Sequence, residues 1–526
     1  MRYRRALRPT PVWAVLVLLG GCGHSDSLPP GMPPAVDIVT IGDQVDTFCG
    51  DCHATPLPEH FPKDRWLELV SNGYQFYTDS GRSDLVEPAL HEVVEFYRRQ
   101  APPYFATPVF PAVAQSSPIQ FESRDVDIGR LPRPPFAVAF MTWFAARSDD
   151  ERQLVFGDMM QGGLYVTDLS ATPATEVTLK SPAHIQPCDL DGDGLRDLLV
   201  ADLGGYQAED HLRGRVVWIR RNGSDWDAPR VLAANIGRVA DARAGDFDAD
   251  GDQDVVVAEF GWRKTGGLFL LLNQGGQGSD PQFIRQDLDG RHGAIHVPPI
   301  DLDADGRLDF IALISQEHET IEAFINVGHE FNPPQVQFER RILFEANNPA
   351  YGCSGIDLAD LDQDGDVDLV LTNGDVLDTT MVRPYQGISW LENCGDFPFV
   401  HHWITAMPGV QRALTKDLDG DGDLDIAAVA LLPEGLVTES EFRSLDSVIW
   451  LEQTAPGEFQ RRAVETGASW HAALEISDVD QDGAADLLVG NFLLDRLEVP
   501  RPWLQIWKNV RQPPHATTAN RVAIQD

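Results

Sequence analysis

The chain has 526 residues, with 81 acidic and 41 basic side chains, a formal net charge of −40 and a pI of about 4.5. A surface of that sign repels phosphate backbones and anionic lipid headgroups, which argues against nucleic-acid binding and against a basic membrane-docking face. Hydrophobic residues make up 43% and tryptophans number 12, so the chain is not of disordered composition, and its length allows more than one domain.

Arg2, Arg4, Arg5 and Arg8 precede an apolar run from Val12 to Leu19, which ends at Gly20-Gly21-Cys22. A basic head, a short apolar stretch and small residues describe an export signal over residues 1–21, and the stretch is too short to span a bilayer. Leu19-Gly20-Gly21-Cys22 resembles a bacterial lipobox. That resemblance implies a diacylated Cys22 as the mature N-terminus. Gly23, in place of an aspartate, implies sorting to the outer membrane of a Gram-negative bacterium, facing the periplasm or the cell surface. Residues 22–37, with Pro29, Pro30, Pro33 and Pro34, read as a stiff spacer.

Cys49-Gly50-Asp51-Cys52-His53 is the C-x-x-C-H pattern by which an exported protein attaches c-type haem. Two thiols one helical turn apart reach the two vinyl groups, and the adjacent histidine reaches the iron. Helices are predicted over residues 42–48, 64–77 and 84–99, the last with Leu85, Ala89, Val93 and Tyr97 at helical spacing. Residues 38–100 therefore resemble a small all-α cytochrome c. A redox dithiol lacks its βαβ context, and a structural zinc site lacks a second ligand pair. No methionine lies between His53 and Phe140 to serve as distal ligand. His91, or His60 close to the motif, is the alternative, and a potential below that of a His/Met cytochrome is expected.

After a second proline-rich linker, residues 101–118, short β runs replace helical periodicity. The pattern D-x-D-x-D-G-x-x-D then occurs six times. Its aspartates are Asp189, Asp191, Asp193 and Asp197; Asp246, Asp248, Asp250 and Asp254; Asp301, Asp303, Asp305 and Asp309; Asp360, Asp362, Asp364 and Asp368; Asp417, Asp419, Asp421 and Asp425; and Asp478, Asp480, Asp482 and Asp486. The intervals are 57, 55, 59, 57 and 61 residues, which marks a repeat architecture. Carboxylates on alternate residues of a tight loop converge on one centre, the glycine takes the turn, and an all-oxygen shell selects calcium. An EF-hand needs glutamate at position 12. Here that position is Val200, Val257, Ala312, Leu371, Ala428 and Val489, each inside an apolar strand-like run.

An aromatic residue follows each loop: Trp218, Phe269, Phe324, Trp390, Trp450 and Trp507. Tyr165 gives a seventh, with Ala145, Arg147, Asp149 and Gln153 where loop ligands would stand, so one repeat has lost its metal. From Ile119 to Val510 there are 392 residues, close to seven such periods, and units of this size hold four strands. The repeats resemble the FG-GAP/VCBS family, whose seven-bladed β-propellers include the integrin α-chain head. The resemblance implies a multidomain chain: a small all-α cytochrome c-like domain, then an all-β, seven-bladed propeller over residues 119–511 binding up to six calcium ions, with a tail at 512–526.

Five residues before the first aspartates stand His184, Asp241, His296 and Arg412, with His471 near the last. They are candidates for a site in the central channel, or for an ordinary polar ring at its mouth. Cys188, Cys353 and Cys394 read as buried thiols or as a source of one disulfide. The expected function is electron transfer through one haem, with the propeller as docking scaffold for a redox partner. A non-enzymatic adhesion protein and a haem-linked dehydrogenase are the alternatives. Six calcium ions would reduce the net charge to about −28.

Overall fold

A computed structural model describes residues 38–106, 117–129, 132, 134–147, 152–169, 174–275, 280–331, 334–377, 381–433, 436–493 and 501–511. The export signal with Cys22, the first linker, Asp149 and the tail lie outside them.

Helix α1 (Ile38–Cys49) buries Ile41, Val45 and Phe48 along one face. Helix α2 (Trp66–Asp79) buries Trp66, Val70 and Tyr77, and helix α3 (Leu90–Gln100) buries Val93, Val94 and Tyr97. These residues recur at helical spacing and form one core, in which Trp66 and Tyr97 stack at 3.8 Å. Helix α3 starts six residues later than its periodicity predicts. Pro88 disfavours helix at Glu87, and the segment before it is held extended: Leu85 N donates to Tyr77 Oη (2.9 Å) and Tyr74 Oη to Pro88 O (2.7 Å).

Apart from one short helix, Glu439–Phe442, the remainder among the described residues is antiparallel β-structure: four four-stranded sheets, one of five strands, one of eight and one of two, which group along the chain as seven successive units. Their first strands are Phe136–Ala145, Pro182–Cys188, Val239–Gly245, Ala294–His296 with Pro299–Ile300, Gly355–Ala359, Val410–Lys416 and His471–Ser477. Each of these strands contacts the first strand of the next unit, and the seventh contacts the first, so they form a closed ring. The outermost strand of unit seven is Ile119–Asp125, which pairs along its length with Leu504–Arg511.

Seven hydrophobic clusters lie between neighbouring units, one per junction. That explains why second strands such as Asp254–Glu259 and Asp425–Ala430 are apolar without alternation: both faces are covered. Tyr165, Trp218, Phe269, Phe324, Trp390, Trp450 and Trp507 all occupy third strands and are buried.

The aspartate loops join first to second strands. The helical segment rests on the other end of the units. Ala350 and Met381 pack against its core, the Tyr385 hydroxyl donates to His60 O (3.4 Å), and the Arg263 guanidinium lies 3.8 Å from the Phe76 ring centroid. Helices and aspartate loops thus occupy opposite faces of the ring.

Candidate metal and haem sites

The six glycines Gly194, Gly251, Gly306, Gly365, Gly422 and Gly483 all have positive φ, from 84° to 102°, so the loop demands the residue that adopts this conformation freely. The turn then folds its own carboxylates inward. In the first loop Asp193 N donates to Asp189 Oδ1 (3.0 Å) and Gly194 N to Asp189 Oδ2 (2.8 Å). Loops three and six repeat both bonds. Asp189, Asp191 and Asp197 bring three oxygens within 4.8 Å of one another, and so do Asp246, Asp248 and Asp250, Asp301, Asp303 and Asp309, and Asp360, Asp362 and Asp368. Such hard-oxygen sets fit calcium. Three loops already hold a cation of the protein's own. Arg220 lies 2.5 Å from Asp191 and 2.9 Å from Asp193, Arg307 pairs with Asp305, and Lys508 pairs with Asp480 and Asp482.

The ninth-position aspartate differs from the other three. Asp197, Asp254, Asp309, Asp368, Asp425 and Asp486 are at most 1% exposed. One oxygen of each accepts the amide after the first loop aspartate, at 2.9–3.4 Å. The other accepts an amide from the third strand or from just past its end, at 2.7–2.9 Å. This residue clamps the loop to the sheet as well as facing the centre. Burial pushes its carboxyl up, to about 6 in Asp197, about 8 in Asp254 and about 7 in Asp425. The backbone bonds oppose that rise and the other loop carboxylates add to it.

A second repeated device was not foreseen. Asn326 Nδ2 donates to Phe247 O (2.8 Å), Gln453 Nε2 to Leu361 O (3.1 Å) and Asn509 Nδ2 to Leu418 O (2.8 Å). Each acceptor follows the first aspartate of the preceding unit's loop, so these amides tie unit to unit. The signal was present in the sequence as an amide residue two or three positions after the third-strand aromatic.

These loops carry the family relationship. Residues 189–257, 246–312 and 301–371 each run from one aspartate loop through the strand after the next, and each matches the FG-GAP-like repeat family. Residues 189–371 are thus similar to FG-GAP-like repeats. Beyond the matched span, the fifth and sixth loops keep the ninth-position clamp of the FG-GAP-like repeats. No curated protein matches the chain.

Along the ring axis the structure brings His184, Asp241 and His296 together. His184 Nδ1 is 2.9 Å, and His296 Nδ1 3.9 Å, from Asp241, whose oxygens also accept from Arg243 Nε (2.9 and 3.1 Å). Burial alone would raise Asp241, but the charges of Arg243 and His184 hold it well below the ordinary carboxylate range. Burial lowers His184 to about 4. Arg412 faces the charges of Asp357 and Glu475, and burial pushes Glu475 up to about 7. Among the described residues no hydroxyl or thiol hydrogen-bonds His184 or His296, so the pairing lacks a nucleophile. His471 stands apart, fully buried between Glu465 (2.6 Å) and Asn491 (2.7 Å).

At the end of α1, Cys49 is half-buried beside Tyr97, and burial raises its thiol to about 11. The buried Tyr97 hydroxyl faces that thiol. Cys52 is exposed, accepts from Arg82 Nη1 (3.3 Å) and is followed by His53, whose Nδ1 lies 2.8 Å from Ala54 O. Phe48 packs on Tyr74 and Tyr77 at 5.0 and 5.1 Å. Two thiols and an imidazole at a helix end, beside an aromatic wall, are the donor set that covalent haem requires. His91 is exposed in the first turn of α3, and His60 is buried against Tyr385. Of the two alternatives for Cys188, Cys353 and Cys394, the structure has free thiols: Cys353 is buried, Cys188 half-buried and Cys394 exposed.

Proposed function

We propose that this chain is an exported lipoprotein carrying one haem c on Cys49, Cys52 and His53. The seven units are then the blades of a calcium-stabilised propeller that docks a redox partner protein. The carrying observation is the C-x-x-C-H segment at the end of α1, whose Cys49 packs against a helical core that seats on the ring through Tyr385, Met381 and Arg263. Haem bound there supplies a one-electron couple. Cys49 and Cys52 would hold it through thioethers and His53 would ligate its iron, beside the Phe48–Tyr74–Tyr77 wall. His91 is the distal candidate. The lipid on Cys22 anchors the chain to the outer membrane, and no helix among the described residues is long and apolar enough to cross one.

The FG-GAP-like repeats favour binding over catalysis, which also supports a partner-binding protein without redox work. A haem-linked dehydrogenase has less support, because Asp241 is engaged by His184 and Arg243 and no hydroxyl or thiol among the described residues joins them.

The test is expression of the full chain with haem-maturation machinery. We expect one covalent haem per chain, a reduced α-band that Cys52→Ala abolishes, and a couple below that of His/Met cytochromes. Absence of covalent haem would overturn the electron-transfer reading and leave partner binding.

A further inference from the structure

We infer that His292, Glu317 and His318 form a site for one divalent first-row transition-metal ion of the imidazole-preferring kind, on the face opposite the aspartate loops. His292 lies in the connection between units three and four. Glu317 and His318 lie in the turn joining the second and third strands of unit four. Both connections emerge at the end of the ring that carries the helices.

Three observations converge. One ligand atom from each residue lies within 4.8 Å of the other two, with His292 Nε2 already 2.8 Å from Glu317 Oε1. Ligands of a metal at about 2.0–2.1 Å stand roughly 3 Å apart, so only a small side-chain adjustment closes the set. His318 Nε2 is buried and makes no hydrogen bond, although its ring centroid is 5.3 Å from that of His292. A buried polar atom left unmatched is costly, and a cation would satisfy it.

The backbone beneath is fixed. Ser315 N and Oγ both donate to Gly293 O (2.8 and 3.1 Å), and Gly293 N donates to Phe260 O (2.8 Å). A Cβ on Gly266 would sit 2.5 Å from His292 Cα, so that turn presses directly on the histidine. The neighbouring cation, Arg291, is engaged by Asp289 and Glu322 and does not occupy the centre.

Two imidazoles and one carboxylate suit zinc, iron(II), cobalt(II) or nickel(II) and not calcium. Three protein ligands leave coordination positions open to water or a further ligand. The chain therefore has two chemically distinct classes of cation site, and excess calcium separates them in an experiment.

The full-length protein, stripped of metal and returned to excess calcium, should bind one equivalent of zinc that His318→Ala does not bind. Affinity should fall at least about 100-fold in that variant. Zinc should raise the melting temperature of the wild type and not that of the variant. Glu317→Gln keeps the side-chain shape and should show the same loss, which guards against misfolding of the histidine variant. Equal zinc stoichiometry and affinity in wild type and both variants would overturn the site.

Discussion

Asp303 and Asp309 belong to one loop and to one sequence motif, yet they stand in different surroundings. Asp303 is exposed, whereas Asp309 is fully buried with its oxygens held by Leu302 N (2.9 Å) and Asn326 N (2.7 Å). Asp309→Ala strands two buried amides and should cost about 2–4 kcal/mol with or without calcium. Asp303→Ala should leave the chelated protein within about 0.5 kcal/mol of wild type, while shrinking the stabilisation that calcium adds. Thermal melts in chelator and in calcium distinguish the two. The motif displayed all 24 aspartates as equals. It could not show which were clamps, because the distinction lies in amides contributed by a strand some twenty residues later.

At the scale of elements, the third strand does more than pair. It positions the aromatic wedge between units and then delivers an amide side chain to the neighbouring loop. Gln453 Nε2 bonds both Leu361 O of the preceding unit and Leu424 O of its own. Gln453→Ala should therefore lower stability by about 1–3 kcal/mol without altering calcium stoichiometry, measured by denaturant unfolding alongside calcium titration. The second strands were readable as long apolar runs, because burial on both faces leaves that mark. The start of α3 was not, because the apolar spacing continues across Pro88 while the chain there is pinned extended by Tyr74 and Tyr77. The site at His292 was equally hidden: its residues are 25 positions apart and meet only where two connections are laced through Gly293 and Ser315.

For the whole molecule, the period and the aromatic markers anticipated a ring of about seven units, including the one without a metal motif. What they left open was how the ring closes. Ile119–Asp125 completes unit seven, and Ile119 is buried in the cluster between units six and seven. Removing residues 119–125 should cost at least about 3 kcal/mol and leave Leu504–Arg511 as an unpaired edge prone to self-association. Melting temperature and size-exclusion profile check this, and an unchanged melt would contradict closure by that strand. Inside the ring the junction between units seven and one is bridged by Glu475, which accepts the Trp143 amide, as Asp357 accepts Thr415 N (2.8 Å) between units five and six.

That closing strand imposes an order in time. Ser123 pairs with Trp507, so one of the first strands synthesised stays without a partner until almost the last one arrives. The helical segment faces a shorter wait, since Ile41, Val45, Trp66 and Tyr97 already pack on one another before Ala350 and Met381 add to that core. Contacts this distant in sequence slow folding and prolong the life of open strand edges. As the chain emerges, then, a helical segment already packed should stand beside a ring that stays open, and vulnerable at its edges, until the strand Leu504–Arg511 is delivered.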